Sequence, residues 1–273
     1  MTAVLAKTEI ESALAHRFGP AFQRREKQPV KVLPTGVSEM DALMNGIPRG
    51  AITEIVGAVS SGRISLLLSA LAVATGQEET CALVDCNDTF DLYSAKTARV
   101  DLERVLWVRC HNGLERAFKA TDLLFQSGGF GLVVLNLADV AAKSARRIVS
   151  TWWFRFRRAL ENTPTALIVI TPIACVRSCA AIVWAVNKET DAWFAAGASA
   201  LKTDDAKLRI NRDRGPATTH ARHLSLVTES PNRQAESLLP HSRLFRGICV
   251  RVSQERPAAW TGGPVKFSTH VYI

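Results

Sequence analysis

The residues best placed to do chemistry are the run Gly57-Ala58-Val59-Ser60-Ser61-Gly62-Arg63-Ile64-Ser65. It follows an apolar segment, Ala51 to Val56, that reads as a strand, and it precedes a segment, Ser65 to Ala74, that reads as a helix. A phosphate loop needs that context. Glycines at both ends let the backbone wrap, so that amide N–H groups and a helix N-terminus converge on an anion. In the usual pattern, G-x-x-x-x-G-K-[ST], the lysine reaches the outer phosphates and the hydroxyl holds Mg²⁺. Here Arg63 stands at the lysine position and Ile64 at the hydroxyl position. Arginine keeps the charge but is larger and planar, so the exchange is not conservative in so tight a site. Isoleucine cannot ligate a metal, and Ser65, one position late, faces elsewhere on a helix. The run is expected to be a phosphate loop by shape that needs no cofactor. At most it binds phosphate or ATP weakly, at roughly mM affinity and largely without Mg²⁺. A strand–turn–helix that merely keeps its glycines is the plainer alternative.

A second set lies on one predicted helix, from about Lys143 to Glu161. Helical projection puts Ala145, Val149, Trp152, Phe156 and Leu160 on a core face. Arg147, Thr151, Phe154, Arg155 and Arg158 fall opposite. An aromatic ring among guanidiniums could stack bases and bind phosphates, could anchor a protein partner, or could be a solvated basic face whose Phe is covered by the next element. A further basic run, Lys202, Lys207, Arg209, Arg212 and Arg214, contains Gly215-Pro216 just beyond it and reads as a surface loop.

Other chemistry is not visible. No Ser–His–Asp, paired-carboxylate or H-E-x-x-H constellation occurs, and His220 and His223 have no companions at metal spacing. The six cysteines, Cys81, Cys86, Cys110, Cys175, Cys179 and Cys249, form no C-x-x-C pair and fall mostly in apolar runs. They are expected to be buried free thiols in a reducing compartment. No metal is expected.

The elements that must position these residues alternate. Thr80 to Cys86, Val105 to Arg109, Leu132 to Leu137 and Ala166 to Thr171 read as strands, and helical patterns fall between several of them. Apolar strands separated by helices indicate an α/β fold with a mainly parallel sheet covered on both faces. The most hydrophobic stretch, Pro164 to Val186, contains Pro172 and Arg177 and reads as a buried strand followed by a helix rather than a membrane span. Ile10, Leu14, Phe18 and Phe22 recur at helical spacing. The division expected is an N-terminal amphipathic helix and linker (1–31), a core (32–200) and a strand-rich C-terminal extension (201–273). With 273 residues, mean hydropathy +0.06 and 22% charged residues, the chain is neither disordered nor collagen-like. A net charge of +9 favours anionic partners, nucleic acid first. Lys7, Glu9 and Glu11 interrupt any signal-peptide core, so a soluble cytoplasmic protein is expected.

The residues around the glycine loop resemble the RecA superfamily. Leu33-Pro34-Thr35-Gly36, then Asp41-Ala42-Leu43-Met44-Asn45-Gly46-Ile47-Pro48-Arg49-Gly50, then Glu54-Ile55-Val56-Gly57 match that family's lead-in, and Ser60-Ser61-Gly62 is the bacterial form of the loop. The likeness runs from about Val32 to Ala174. It implies a RecA-like core in which Asp91 falls at an adenine-contact position. It also implies losses at chemical positions. Asn136 falls where the Walker B aspartate belongs, Asn87 where the catalytic glutamate belongs, and Pro172 where a nucleotide-sensing glutamine belongs. Asp88 and Asp139 lie near enough for a register shift to recruit one of them. The profile is similar to the inducible-mutagenesis (ImuA-type) proteins. That likeness implies an accessory role in damage-induced translesion synthesis without ATP hydrolysis, beside a translesion polymerase-like protein and an error-prone replicative polymerase. Single-stranded DNA and self-association are further partners it allows. Two rivals stand beside it: an ATP-dependent recombinase, and an inhibitor of cell division in the SOS response.

Overall fold

The computed structural model describes residues 31–193, 245–257 and 262–269, together with Ser12, Ala13, His16 and Arg17, which are helical. Ile10, Leu14, Phe18 and Phe22, the basic run from Lys202 to Arg214, and His220 and His223 lie outside the described residues.

Among the described residues, eight strands form one sheet. A short antiparallel pair, β1 (Val32–Leu33) and β2 (Ile47–Pro48), brackets helix α1 (Ser38–Met44). Then follow β3 (Ile52–Gly57), α2 (Arg63–Gly76), β4 (Cys81–Asp85), α3 (Leu92–Thr97), β5 (Val105–Arg109), α4 (Leu114–Ser127) and β6 (Leu132–Asn136). The chain continues through α5 (Ala142–Arg146), α6 (Ser150–Leu160), β7 (Ala166–Thr171), β8 (Ala180–Trp193), β9 (Phe245–Arg256) and β10 (Val265–Ser268). The order across the sheet is β10-β9-β8-β3-β7-β6-β4-β5. All pairings from β8 to β5 are parallel, and β9 and β10 add antiparallel to that edge. The α/β reading with a mainly parallel sheet and a strand-rich C-terminal region holds.

Two apolar layers cover the faces. On one, Leu66, Leu67 and Leu71 of α2 pack with Met40 and Met44 of α1, Val250 and Val252 of β9 and Phe267 of β10. On the other, Phe118 of α4 packs with Trp153, Phe156 and Leu160 of α6. β4, β6 and β7 are buried on both faces, which is why they read as unbroken apolar runs. The lead-in residues have clear mechanical roles. The Asp41 carboxylate accepts from the Thr35 amide at 2.7 Å, the Thr35 hydroxyl at 2.9 Å and the Gly36 amide at 3.2 Å, so it fastens the turn that feeds α1. Arg49 donates to Glu79, to the Gly131 carbonyl (3.3 Å) and to the Pro164 carbonyl (3.0 Å), joining the entries of β4, β6 and β7.

Two sequence expectations are corrected. The stretch after β7 is not a helix: a 3-10 turn at Arg177–Cys179 leads into strand β8, which pairs with β3 on one side and β9 on the other. Ile182, Val183 and Val186 are β-branched, and two-sided pairing outweighs a helical spacing that this apolar run also fits. The helix expected over Lys143 to Glu161 is also two helices. Val149 sits between them with φ −70° and ψ 130°, an extended conformation. That break resets the helical phase, so Trp153, Phe156 and Leu160 face inward while Val149 is 60% exposed.

Candidate phosphate-loop site

β3 delivers the chain to Gly57 in the layer between β7 and β8. A Cβ at Gly57 would lie 2.4 Å from the Ser61 hydroxyl oxygen and 2.7 Å from the Val186 carbonyl oxygen, so no larger residue fits. Gly62 has φ +97°, and a Cβ there would meet a Val250 methyl at 2.6 Å. Strand β9 therefore packs directly on the loop. Ala58, Val59 and Ser60 project into solvent, Ser60 with φ +60°, and Ser61 is buried. Helix α2 starts at Arg63 with no side chain capping Gly62. Ile64 and Ser65 occupy its first turn, Ile64 exposed and Ser65 partly exposed.

Arg63 does not extend from this loop. Its side chain is 4% exposed, and its guanidinium turns inward onto backbone carbonyls. Nη1 donates to Gly57 O and, at 3.4 Å, to Thr171 O, while Nη2 donates to Ala138 O at 2.9 Å. Asp139 approaches Nη2 at 3.7 Å. Burial lowers the guanidinium pKa from its ordinary value, and Asp139 opposes that shift. One cation thus ties the loop to the ends of β6 and β7.

The positions along the carboxyl edge are likewise engaged within the protein. Asn136 donates to Asp85 (3.1 Å) and to the Thr89 hydroxyl (3.5 Å), and its Oδ1 accepts from the Ala138 amide (3.2 Å). Asn87 donates to Asn112 Oδ1 at 2.8 Å. Asp91 caps α3, accepting from the Tyr93 and Ser94 amides and the Ser94 hydroxyl, which holds its carboxyl below the ordinary value. Asp88 meets the His111 ring and amide and Arg109. Burial pushes its carboxyl up, but those partners outweigh burial and leave it below the ordinary value. Among the described residues, no three His, Cys, Asp or Glu side chains gather as a metal site.

Sequence reasoning missed Glu54. This carboxylate is fully buried in β3, and its Oε1 accepts from the Cys175 amide (2.7 Å), the Thr171 hydroxyl (3.1 Å) and the Val176 amide (3.2 Å). Oε2 is buried and has no partner. Burial pushes the Glu54 carboxyl up, against the three donors. The available signal was a lone acid inside an apolar strand. Thr171 is held from two sides, its carbonyl by Arg63 and its hydroxyl by Glu54.

On α6, Phe154 is 54% exposed, with Thr151, Arg157 and Arg158 exposed around it. Arg155 is turned away from that group. It pairs with Asp122 of α4 through Nε and Nη2 and lies over the Trp152 ring at 5.8 Å, bracing α6 against α4. Arg147 stands apart from Phe154, beside Val149 and Trp152 in a separate groove.

The cysteines Cys81, Cys86, Cys110, Cys175 and Cys179 are buried and free, and Cys249 is free and partly exposed. Burial pushes the Cys81 thiol up to about 12 and the Cys86 thiol up to about 11. Among the described residues, no helix is long and apolar enough to cross a membrane.

Comparison with known proteins agrees with this architecture. The RecA protein of Streptomyces coelicolor is 35% identical over 114 residues, covering 41% of this chain and 30% of the relative. That of Clavibacter michiganensis is 36% identical over 136 residues, covering 46% and 37%. That of Leifsonia xyli is 30% identical over 164 residues, covering 54% and 46%. The chain spans less than half the length of each of these relatives. Residues 6–151 match the RecA N-terminal domain. With the glycine loop, its lead-in and the parallel sheet that carries them, that match makes the chain a member of the RecA N-terminal domain family.

Proposed function

We propose that this chain is a RecA-like DNA-repair accessory protein that acts in damage-induced translesion synthesis, as ImuA-type proteins do, and does not hydrolyse ATP. The observation that carries the reading is the Arg63 guanidinium, committed to the carbonyls of Gly57, Ala138 and Thr171. For Arg63 to reach a phosphate seated in the loop, that cation must leave three acceptors buried without a donor, each a desolvation cost of about 1–3 kcal/mol. The residues present do not fit Mg-nucleotide chemistry: Ile64 offers no metal ligand, and the amides of Asn136 and Asn87 supply no carboxylate to position water. What phosphate or ATP binding remains is weak and largely independent of Mg²⁺. No cofactor is required.

The role is then one of contact. A translesion polymerase-like protein and an error-prone replicative polymerase are the partners, with single-stranded DNA and a second copy of the chain as further ones. Phe154 with Arg158 is the partner face, because a single exposed ring among arginines suits an anchor better than a stacking platform of several rings.

A phosphate-release assay with and without single-stranded DNA tests the first half, with no turnover expected. Turnover that falls in Arg63→Gln would overturn it. Co-purification with the polymerase-like partner tests the second half. Phe154→Ala should cost about 2 kcal/mol of partner affinity or more while leaving DNA binding unchanged. Partner capture unaffected by Phe154→Ala, alongside DNA binding lost in Arg158→Ala, would reverse the assignment of that face.

A further inference from the structure

We propose that the groove between α4 and the α5–α6 junction, on the face of the sheet opposite α2, is a docking site for an acidic segment of a partner protein carrying a leucine-like anchor. The groove encloses about 350 Å³, at the small end for a binding pocket and enough for one or two side chains. Its apolar lining is Leu114 and Phe118 from α4, Ile148 and Val149 from the junction, and Trp152 from α6. The extended backbone at Val149 creates it. A continuous helix would turn this side chain into the core, whereas the break leaves it 60% exposed at the groove wall.

The charge around the groove selects the occupant. Glu115, on the rim, is neutralised by Lys119 at 2.7 Å, and Asp122 is neutralised by Arg155. Lys143, Arg146 and Arg147 are exposed, and among the described residues no carboxylate pairs with them. Ser144 and Arg147 line the groove, and Lys143, four positions before Arg147, shares its side of the helix by that spacing, so the exposed charge beside the opening is positive. An apolar anchor with aspartate or glutamate beside it satisfies both features. A nucleobase does not. It needs a free ring face, and Trp152 is already in contact with Arg155 at 5.8 Å, Phe118 at 5.5 Å and Phe156 at 5.9 Å. The chain's own N-terminal segment is a poor match as well, since residues 1–30 carry five Lys or Arg against three Glu.

The inference rests on the reading above only in taking the protein to work through protein contacts. The test is separate from the Phe154 face and from nucleotide. The probe is a short fluorescein-labelled helical peptide with leucines three and four residues apart and aspartate or glutamate between them, titrated with the full chain and followed by anisotropy. A matched peptide with lysine in place of the acids and a labelled oligothymidylate are the comparisons. Val149→Glu, at an exposed position, should weaken the acidic peptide at least tenfold. Arg147→Glu should weaken it several-fold and improve the lysine peptide, and Phe154→Ala should change neither. Equal binding by wild type and Val149→Glu, or by the two peptides, overturns the proposal. So does oligothymidylate binding that is lost in Val149→Glu, which would make the groove a nucleic-acid site. Acidic-peptide affinity that rises several-fold in Leu14→Glu overturns it too, because the chain's own N-terminal segment would then be the occupant.

Discussion

Asn136, at the end of β6, donates its amide N–H to the buried Asp85 carboxylate of β4 at 3.1 Å, while its own carbonyl oxygen accepts from Ala138. The amide is the complement of an acid on one side and of a backbone donor on the other. A second carboxylate at position 136 would face Asp85 with no proton between them. Asn136→Asp should therefore destabilise the protein by roughly 2 kcal/mol at neutral pH. Repulsion raises the pKa of the pair in the folded state only, so the folded protein holds more protons than the unfolded chain and its stability falls as pH rises. Urea denaturation should give a gap from wild type that widens from pH 5 to pH 8. Full recovery on adding Mg²⁺ would show instead that this edge is a metal site.

Arg63 supports the loop from inside. Arg63→Ala removes the donor from three buried carbonyls and should cost about 3 kcal/mol of stability, measured by chemical denaturation. Arg63→Lys keeps the charge but cannot bridge three acceptors with a compact ammonium. It should lose less stability and bind inorganic phosphate at least tenfold more tightly by calorimetry. Unchanged phosphate affinity in Arg63→Lys would mean that the guanidinium is not what closes the loop.

Glu54 titrates above its ordinary value because it is buried. Its folded-state pKa is higher than that of the unfolded chain, so its favourable contribution is complete below the ordinary carboxylate range. That contribution is lost as pH rises through the raised value. Glu54→Gln keeps an acceptor for the Cys175 and Val176 amides and removes the titration. The stability of the variant relative to wild type should rise as pH climbs from the ordinary carboxylate range through the raised value, and then level off. A flat difference across that range would place the Glu54 proton elsewhere.

The parallel core was legible because its strands are buried on both faces, so Leu132 to Asn136 and Ala166 to Thr171 admit few other readings. The helix over residues 143–161 was not, because periodicity reports phase only while the backbone stays helical, and the break at Val149 carries no proline or glycine to announce it. β8 was hidden for a different reason: its pairing with β9 joins residues more than fifty positions apart, beyond any local pattern. At the loop, residue types identified the altered chemistry at Arg63 and Ile64. They could not reveal that the guanidinium points inward, since the acceptors come from β6 and β7 segments distant in sequence.

The pairing of Trp193 with Phe245 at the far end of β8 and β9 bears on how the sheet responds to changes of chain length. These neighbours in the sheet are more than fifty positions apart in sequence. The entropic cost of bringing two such chain positions together grows only with the logarithm of their separation, about 0.6 kcal/mol for each doubling. The spacing between β8 and β9 is therefore a weak lever on stability: lengthening or shortening it costs little beside the pairing that holds the two strands to the sheet under the phosphate loop.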